Sequence, residues 1–187
     1  MYQVQEQIEN YLNKISYQKT EWINLYNSIK PLFYIYPASI SHHHSYEGGL
    51  AKHTYEVIKL AINIKILLKY IYFDSYIFIN QLKDEDIIKV AFIHDIEKIN
   101  EYEMNYKGKF IKKQNLYQYL TPELKTIEQT KLFGIHLNEN QVQALFSMHG
   151  GWNEYKLQLY PLSAILHCAD LLSSRFDKNF LKTLKRK

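Results

Sequence analysis

The chain has 187 residues, 47% hydrophobic and 22% charged, enough to bury the core of one domain. Six Gly and four Pro among mixed charges exclude a fibrous or disordered chain, and the lone Cys168 excludes a disulfide framework or a Cys-based zinc cluster. The net charge of +4 leans toward anionic partners without the excess of a dedicated nucleic-acid binder.

Helical periodicity dominates in chain order. Tyr2–Leu12 and Glu21–Phe33 read as helices, the second ending toward Pro37. Glu6 and Glu9 interrupt the start of the chain, which argues against a signal peptide, and one Cys suits a reducing compartment, so a cytoplasmic location is expected. A polar loop, Ser39–Gly49, holds His42, His43 and His44. Leu50–Ile71 carries an apolar stripe through Val57, Ile58, Ala61, Ile62, Ile64, Leu67 and Leu68. Lys59, Lys65, Lys69 and Asp74 make Val57–Ile79 too charged to span a bilayer, so no membrane partner is expected.

Asp84-Glu85-Asp86 places negative charge at the start of the next helix, which is expected to run to Asp95. Asn100–Leu120 is irregular, with a turn at Tyr106–Lys109 between two short extended pieces. Thr121 with Pro122 opens a helix that Gly134 ends, and Asn138 with Gln141 forms a capping box for a helix to His149. Pro161 opens the last main helix, to about Phe176, before a basic tail at Lys182–Lys187. The expectation is all-α: a single compact domain over 1–187, with its core from about residue 30 to about residue 178, an N-terminal helical extension and a frayed tail.

Chemistry concentrates where polar residues interrupt apolar runs. His94 and Asp95 are adjacent at a helix end, about 100° apart around its axis, and both can reach a cation seated over that end. Alone, such a pair reads as a buried His bonded to its neighbour. His53, early on the long helix, and Asp170, in the last helix, also stand among apolar neighbours, where an unpaired polar group is costly. Two imidazoles and two carboxylates suit Mn, Fe, Ni, Co or Mg better than structural zinc. Residue types alone leave a metal site and a set of buried His–Asp pairs level.

In these positions the sequence resembles the HD-domain superfamily of metal-dependent phosphohydrolases, whose pattern is a His, a His-Asp pair and a distant Asp on about five core helices. The segment Pro37–His53, containing His42-His-His and Gly48-Gly-Leu-Ala-Lys-His53, is similar to the N-terminal motif of HD-type 3′→5′ exoribonucleases and conjugative relaxases. His94-Asp-Ile-Glu-Lys98 resembles the family's His-Asp-x-x-Lys run. Met148-His149-Gly-Gly-Trp152 and Tyr160–Asp170 resemble small phage and bacterial HD hydrolases. The resemblance implies a divalent metal on His53, His94, Asp95 and Asp170, with Lys98 and His149 serving phosphate contact or proton transfer.

Departures from that pattern are specific. Thr121–Thr130 holds no His where many two-metal members carry one, His136 falls at an expected surface loop, and single His149 stands for a His-His pair. Glu97 occupies a position where relatives often have Gly. These favour one tightly bound metal over a two-metal clamp. His167 reads as a neighbour of the site or core, Arg175 as a residue of the cleft mouth or of an exposed ion pair, and Trp152 as core or pocket lining.

The leading expectation is a metal-dependent phosphohydrolase acting on a nucleotide or short oligonucleotide. Its rivals are a 3′→5′ exonuclease on single-stranded nucleic acid and a degenerate HD fold used as a binding module. Lys107, Lys109, Lys112 and Lys113 among Tyr102, Tyr106, Phe110, Tyr117 and Tyr119 predict that Asn100–Leu120 covers the site, holding phosphates and stacking bases.

Overall fold

The computed structural model describes residues 1–113, 120–148, 160–178 and 181. The order is α1 (Tyr2–Leu12), α2 (Lys19–Phe33), α3 (Gly49–Ile71), a 3-10 turn (Phe73–Ser75), α4 (Tyr76–Gln81), α5 (Asp84–Ile93) and α6 (Lys98–Glu101). It continues through β1 (Tyr102–Met104), β2 (Phe110–Lys112), α7 (Pro122–Leu132), α8 (Glu139–Met148) and α9 (Pro161–Phe176). The fold is all-α, with one antiparallel hairpin pairing Tyr102 with Lys112 and Met104 with Phe110.

The apolar stripe of α3 buries Leu50, Val57, Ile58 and Ala61 completely. It packs on α5 and α9, and α9 packs in turn on α8, with Leu166, Ala169, Leu145 and Met148 all buried in the same core. The first two helices contribute to the same core: Trp22, Tyr26 and Phe33 of α2 surround Phe92 of α5 edge-on, with ring centres 6.4, 6.1 and 5.8 Å away. That cluster fixes the helix that delivers the His-Asp pair.

The boundaries follow local chemistry. Thr121 Oγ1 accepts from the Leu124 amide with Pro122 at the first helical position, and Gly134 takes the left-handed turn after α7. The capping box is reciprocal: Gln141 Oε1 accepts from the Asn138 amide and Asn138 Oδ1 from the Gln141 amide, each at 2.9 Å. In the hairpin turn, Asn105 Oδ1 takes the amides of Lys107 and Lys109. One end stops short of expectation. The α5 helix stops at Ile93, because its ladder tightens into three-residue bonds (Ile96 to Ile93, Lys98 to Asp95) that close the turn carrying His94 and Asp95. The α8 helix is described over Glu139–Met148, and its expected last residue, His149, lies outside the described residues.

Candidate metal centre

Three helices deliver the centre. His53 sits in the first turns of α3, His94-Asp95 in the turn after α5, and Asp170 on α9. His53, His94 and Asp95 are buried, and the Asp170 side chain is 16% exposed, so the centre opens on the Asp170 side. Gly48 and Gly49 make this arrangement reachable. Gly48 caps α3 at φ +75°, and a Cβ on Gly49 would fall 1.9 Å from the His44 carbonyl oxygen. The His-rich loop therefore lies directly against the start of α3.

Nε2 of His53 stands 3.2 Å from Nε2 of His94, 3.6 Å from Asp95 Oδ2 and 3.0 Å from Asp170 Oδ1. Nε2 of His94 stands 3.5 Å from Asp95 Oδ2 and 3.9 Å from Asp170 Oδ1. The opposite ring nitrogens are already engaged. His94 Nδ1 donates to the Ala91 carbonyl at 2.7 Å, and since a carbonyl only accepts, that nitrogen carries the proton. His53 Nδ1 pairs with Ser173 Oγ at 2.9 Å, while the Ser173 hydroxyl proton goes to Glu56 Oε2 at 3.0 Å. In their neutral forms both imidazoles thus present Nε2 lone pairs to each other and to two carboxylates.

Four lone-pair atoms converging in a buried space need positive charge between them. Ligands about 2.1 Å from one ion lie about 3.0 Å apart at right angles and about 3.4 Å apart at tetrahedral angles, so spacings of this order fit a divalent cation. His53, His94 and Asp95 could hold a metal ion, and Asp170 borders the same space. Burial pushes the Asp170 carboxyl up, but when the imidazoles are protonated, hydrogen bonding to His53 and the charges of His53 and His94 outweigh it and hold it far below the usual carboxylate range. Lys98 donates to Asp95 Oδ2 at 2.5 Å. Burial lowers its pKa, yet Asp95 and Glu97 reverse this and leave it above the ordinary lysine range.

A cleft of about 640 Å³ opens beside Asp170, lined by Ser39–His43, Lys98, Tyr102, Lys112, His167 and Arg175, among others. Among the described residues of the Lys- and Tyr-rich segment expected to cover the site, Tyr102 and Lys112 line the cleft, so the hairpin borders it; Tyr117 and Tyr119 lie outside the described residues, as do His149 and Trp152. Of the three consecutive histidines, His43 faces the centre, its ring 4.7 Å from that of His53, and burial followed by the charges of His53 and Lys98 pushes it down to about 3. The buried His44 has Nε2 3.0 Å from Glu56 Oε2, and its amide donates to Asp177; exposed His42 lines the cleft. The side chain of His167 donates to the Met148 carbonyl, His136 is exposed, and Glu97 is buried against α7, where Thr126 donates to it.

Sequence reasoning missed Glu56 and Ser173. A signal existed: each stands three residues after a candidate ligand, His53 and Asp170, and so on the same helix face.

No family model matches the chain, and no solved structure matches it. The chain is similar to a dihydroneopterin 2′,3′-cyclic phosphate phosphodiesterase from Methanocaldococcus jannaschii, with 28% identity over 144 residues, 75% of this chain and 52% of that protein. It thus spans about half the length of the curated relative it matches. No helix among the described residues is long and apolar enough to cross a membrane.

Proposed function

We propose that the chain is a metal-dependent phosphohydrolase of the HD superfamily, a single domain that cleaves a phosphodiester in a nucleotide or short oligonucleotide. The observation that carries the reading is the convergence of Nε2 of His53, Nε2 of His94, Asp95 Oδ2 and Asp170 Oδ1, all lone-pair atoms, at spacings of 3.0 to 3.9 Å. The phosphodiesterase activity of the relative supports the diester class.

When bound by these four residues, a divalent ion supplies Lewis acidity: charge stabilisation at the phosphoryl group and an acidified water. The side chains do the rest. Lys98, held cationic beside Asp95 in the cleft lining, fixes a negative phosphoryl oxygen. His43 stays neutral next to the centre and adds no competing charge. The role of His149, proton transfer to the leaving group, rests on the sequence pattern alone.

Elemental analysis of the purified chain after soaking in Mn should give about one divalent ion per chain, with hydrolysis of bis(p-nitrophenyl) phosphate exceeding that of p-nitrophenyl phosphate. His94→Ala and Asp170→Ala should lose both metal and hydrolysis. A chain that takes up no ion, or a His94→Ala variant that hydrolyses the diester normally, sinks the reading.

A second reading, a 3′→5′ exonuclease, draws on the cations along the cleft, Lys98, Lys112 and Arg175, next to the Lys- and Tyr-rich hairpin.

A further inference from the structure

Glu56 and Ser173 stand behind the centre on α3 and α9, outside the cleft lining. The polar atoms between them and the centre form one directed chain. Glu56 Oε2 accepts from Ser173 Oγ at 3.0 Å, and Ser173 Oγ lies 2.9 Å from His53 Nδ1. The serine proton is committed to the carboxylate, so the serine oxygen has only lone pairs left for the imidazole, and Nδ1 must be the donor.

We propose that Glu56 and Ser173 are positioning residues that hold His53 in its Nδ1–H tautomer and thereby present the Nε2 lone pair to the metal. This rests on the reading of His53 as a metal ligand. Outer partners of this kind fix ring orientation and raise ligand basicity.

The carboxylate is itself well supplied with donors. The Oε2 atom lies 3.0 Å from His44 Nε2, and Oε1 lies 3.2 Å from the Lys52 ammonium. Burial raises the Glu56 pKa, but the hydrogen bonds from His44 and Ser173 and the charges of His44 and Lys52 bring it down to about 2, so the anion persists at neutral pH. The neighbouring His44 is locked in turn by Asp177, which accepts from its amide at 3.1 Å, and by a left-handed backbone at φ 47°. Through His44 and Glu56 the His-rich loop thus bears on the orientation of a candidate ligand that belongs to another element. This gives buried His44 a role that needs no contact with substrate.

The test uses the full chain. In metal-free wild type at alkaline pH, where imidazoles are neutral, ¹⁵N shifts of the His53 ring should report the Nδ1–H tautomer. Ser173→Ala and Glu56→Ala should mix in the Nε2–H tautomer and weaken Mn binding by about 10- to 100-fold, measured by calorimetry. Ser173→Thr, which keeps the hydroxyl, should restore both. Wild type found as the Nε2–H tautomer overturns the proposal without any variant, as does a folded Ser173→Ala chain that binds Mn as tightly as wild type. A wild type that shows the expected tautomer and binds no Mn would instead defeat the metal reading and leave the tautomer control standing.

Discussion

Lys98 donates to the same Asp95 oxygen that faces the Nε2 atoms of His53 and His94, so one carboxylate oxygen is shared by an ammonium and two imidazoles. Burial disfavours its charge, but Asp95 and Glu97 more than compensate, and the side chain titrates above the ordinary lysine range. Lys98 is therefore a fixed cation and not a proton acceptor. Replacing it by Met keeps the chain length and removes the charge. The Lys98→Met variant should lose roughly 10- to 100-fold in kcat/KM on a phosphodiester, the 1.5–3 kcal/mol of a hydrogen bond to a charged group, while retaining its metal. The wild-type pH profile should show no basic limb below about pH 10.4 from this group. Unchanged kcat/KM in the variant would reduce Lys98 to a structural partner of Asp95. His94, Asp95 and Asp170 were legible at this scale because each interrupts an apolar run, where an unpaired polar group is costly, and His53 through its place ahead of the His-Asp pair in the pattern the sequence resembles. Glu56 and Ser173 were not, because the hydrogen bond that gives them meaning joins residues 117 positions apart.

The helix that delivers His94-Asp95 is held at its opposite end by three acids in a row. Asp84 pairs with Lys65 of α3 at 2.6 Å, Asp86 accepts from Gln141 of α8 at 2.7 Å, and Glu85 accepts from Ser16 Oγ and the Tyr17 amide while pairing with Lys89. The sequence explained these acids through the helix dipole alone; their cross-links to other elements needed the fold. Capping signals were more legible, since Thr121 with Pro122 and Asn138 with Gln141 act within a few residues. The short α4 was hidden because the apolar pattern of α3 runs on through it. Burial raises the pKa of Glu85, but Lys89, Ser16 and the Tyr17 amide bring it from its ordinary 4.5 down to about 2. A carboxyl depressed in the fold stabilises it above its unfolded value and loses that contribution as pH falls from 4.5 through about 2. By urea unfolding, Glu85→Gln should cost about 2 kcal/mol at neutral pH and close to nothing at about pH 2. Equal losses at both pH values would mean that the charge is not the source.

At the scale of the whole molecule, the centre is buried and the charge around it is arranged along one opening. Among the described residues, Lys98, Lys112 and Arg175 are the lysines and arginines that line the cleft, while Lys107 and Lys109 are exposed at the hairpin turn beyond it. A net charge of +4 adds little long-range attraction, so binding of a nucleic-acid fragment should reflect the local cations. Each phosphate neutralised on a single strand contributes about −0.7 to the slope of log K against log salt, and three cleft cations therefore give about −2. A small diester seated at the centre engages one phosphate and should give about −0.7. The measurement is the affinity of a labelled, non-hydrolysable single-stranded oligonucleotide for the chain over a salt series, with a phosphorothioate dinucleotide for comparison. Slopes between about −0.7 and −2 for both, with similar affinities, would place recognition inside the cleft and support a nucleotide or short oligonucleotide as substrate. A slope steeper than about −3 for the longer strand, flattened by Lys107→Ala and Lys109→Ala together, would mean that the hairpin tracks a strand past the centre, and the exonuclease reading would then replace the small-substrate one.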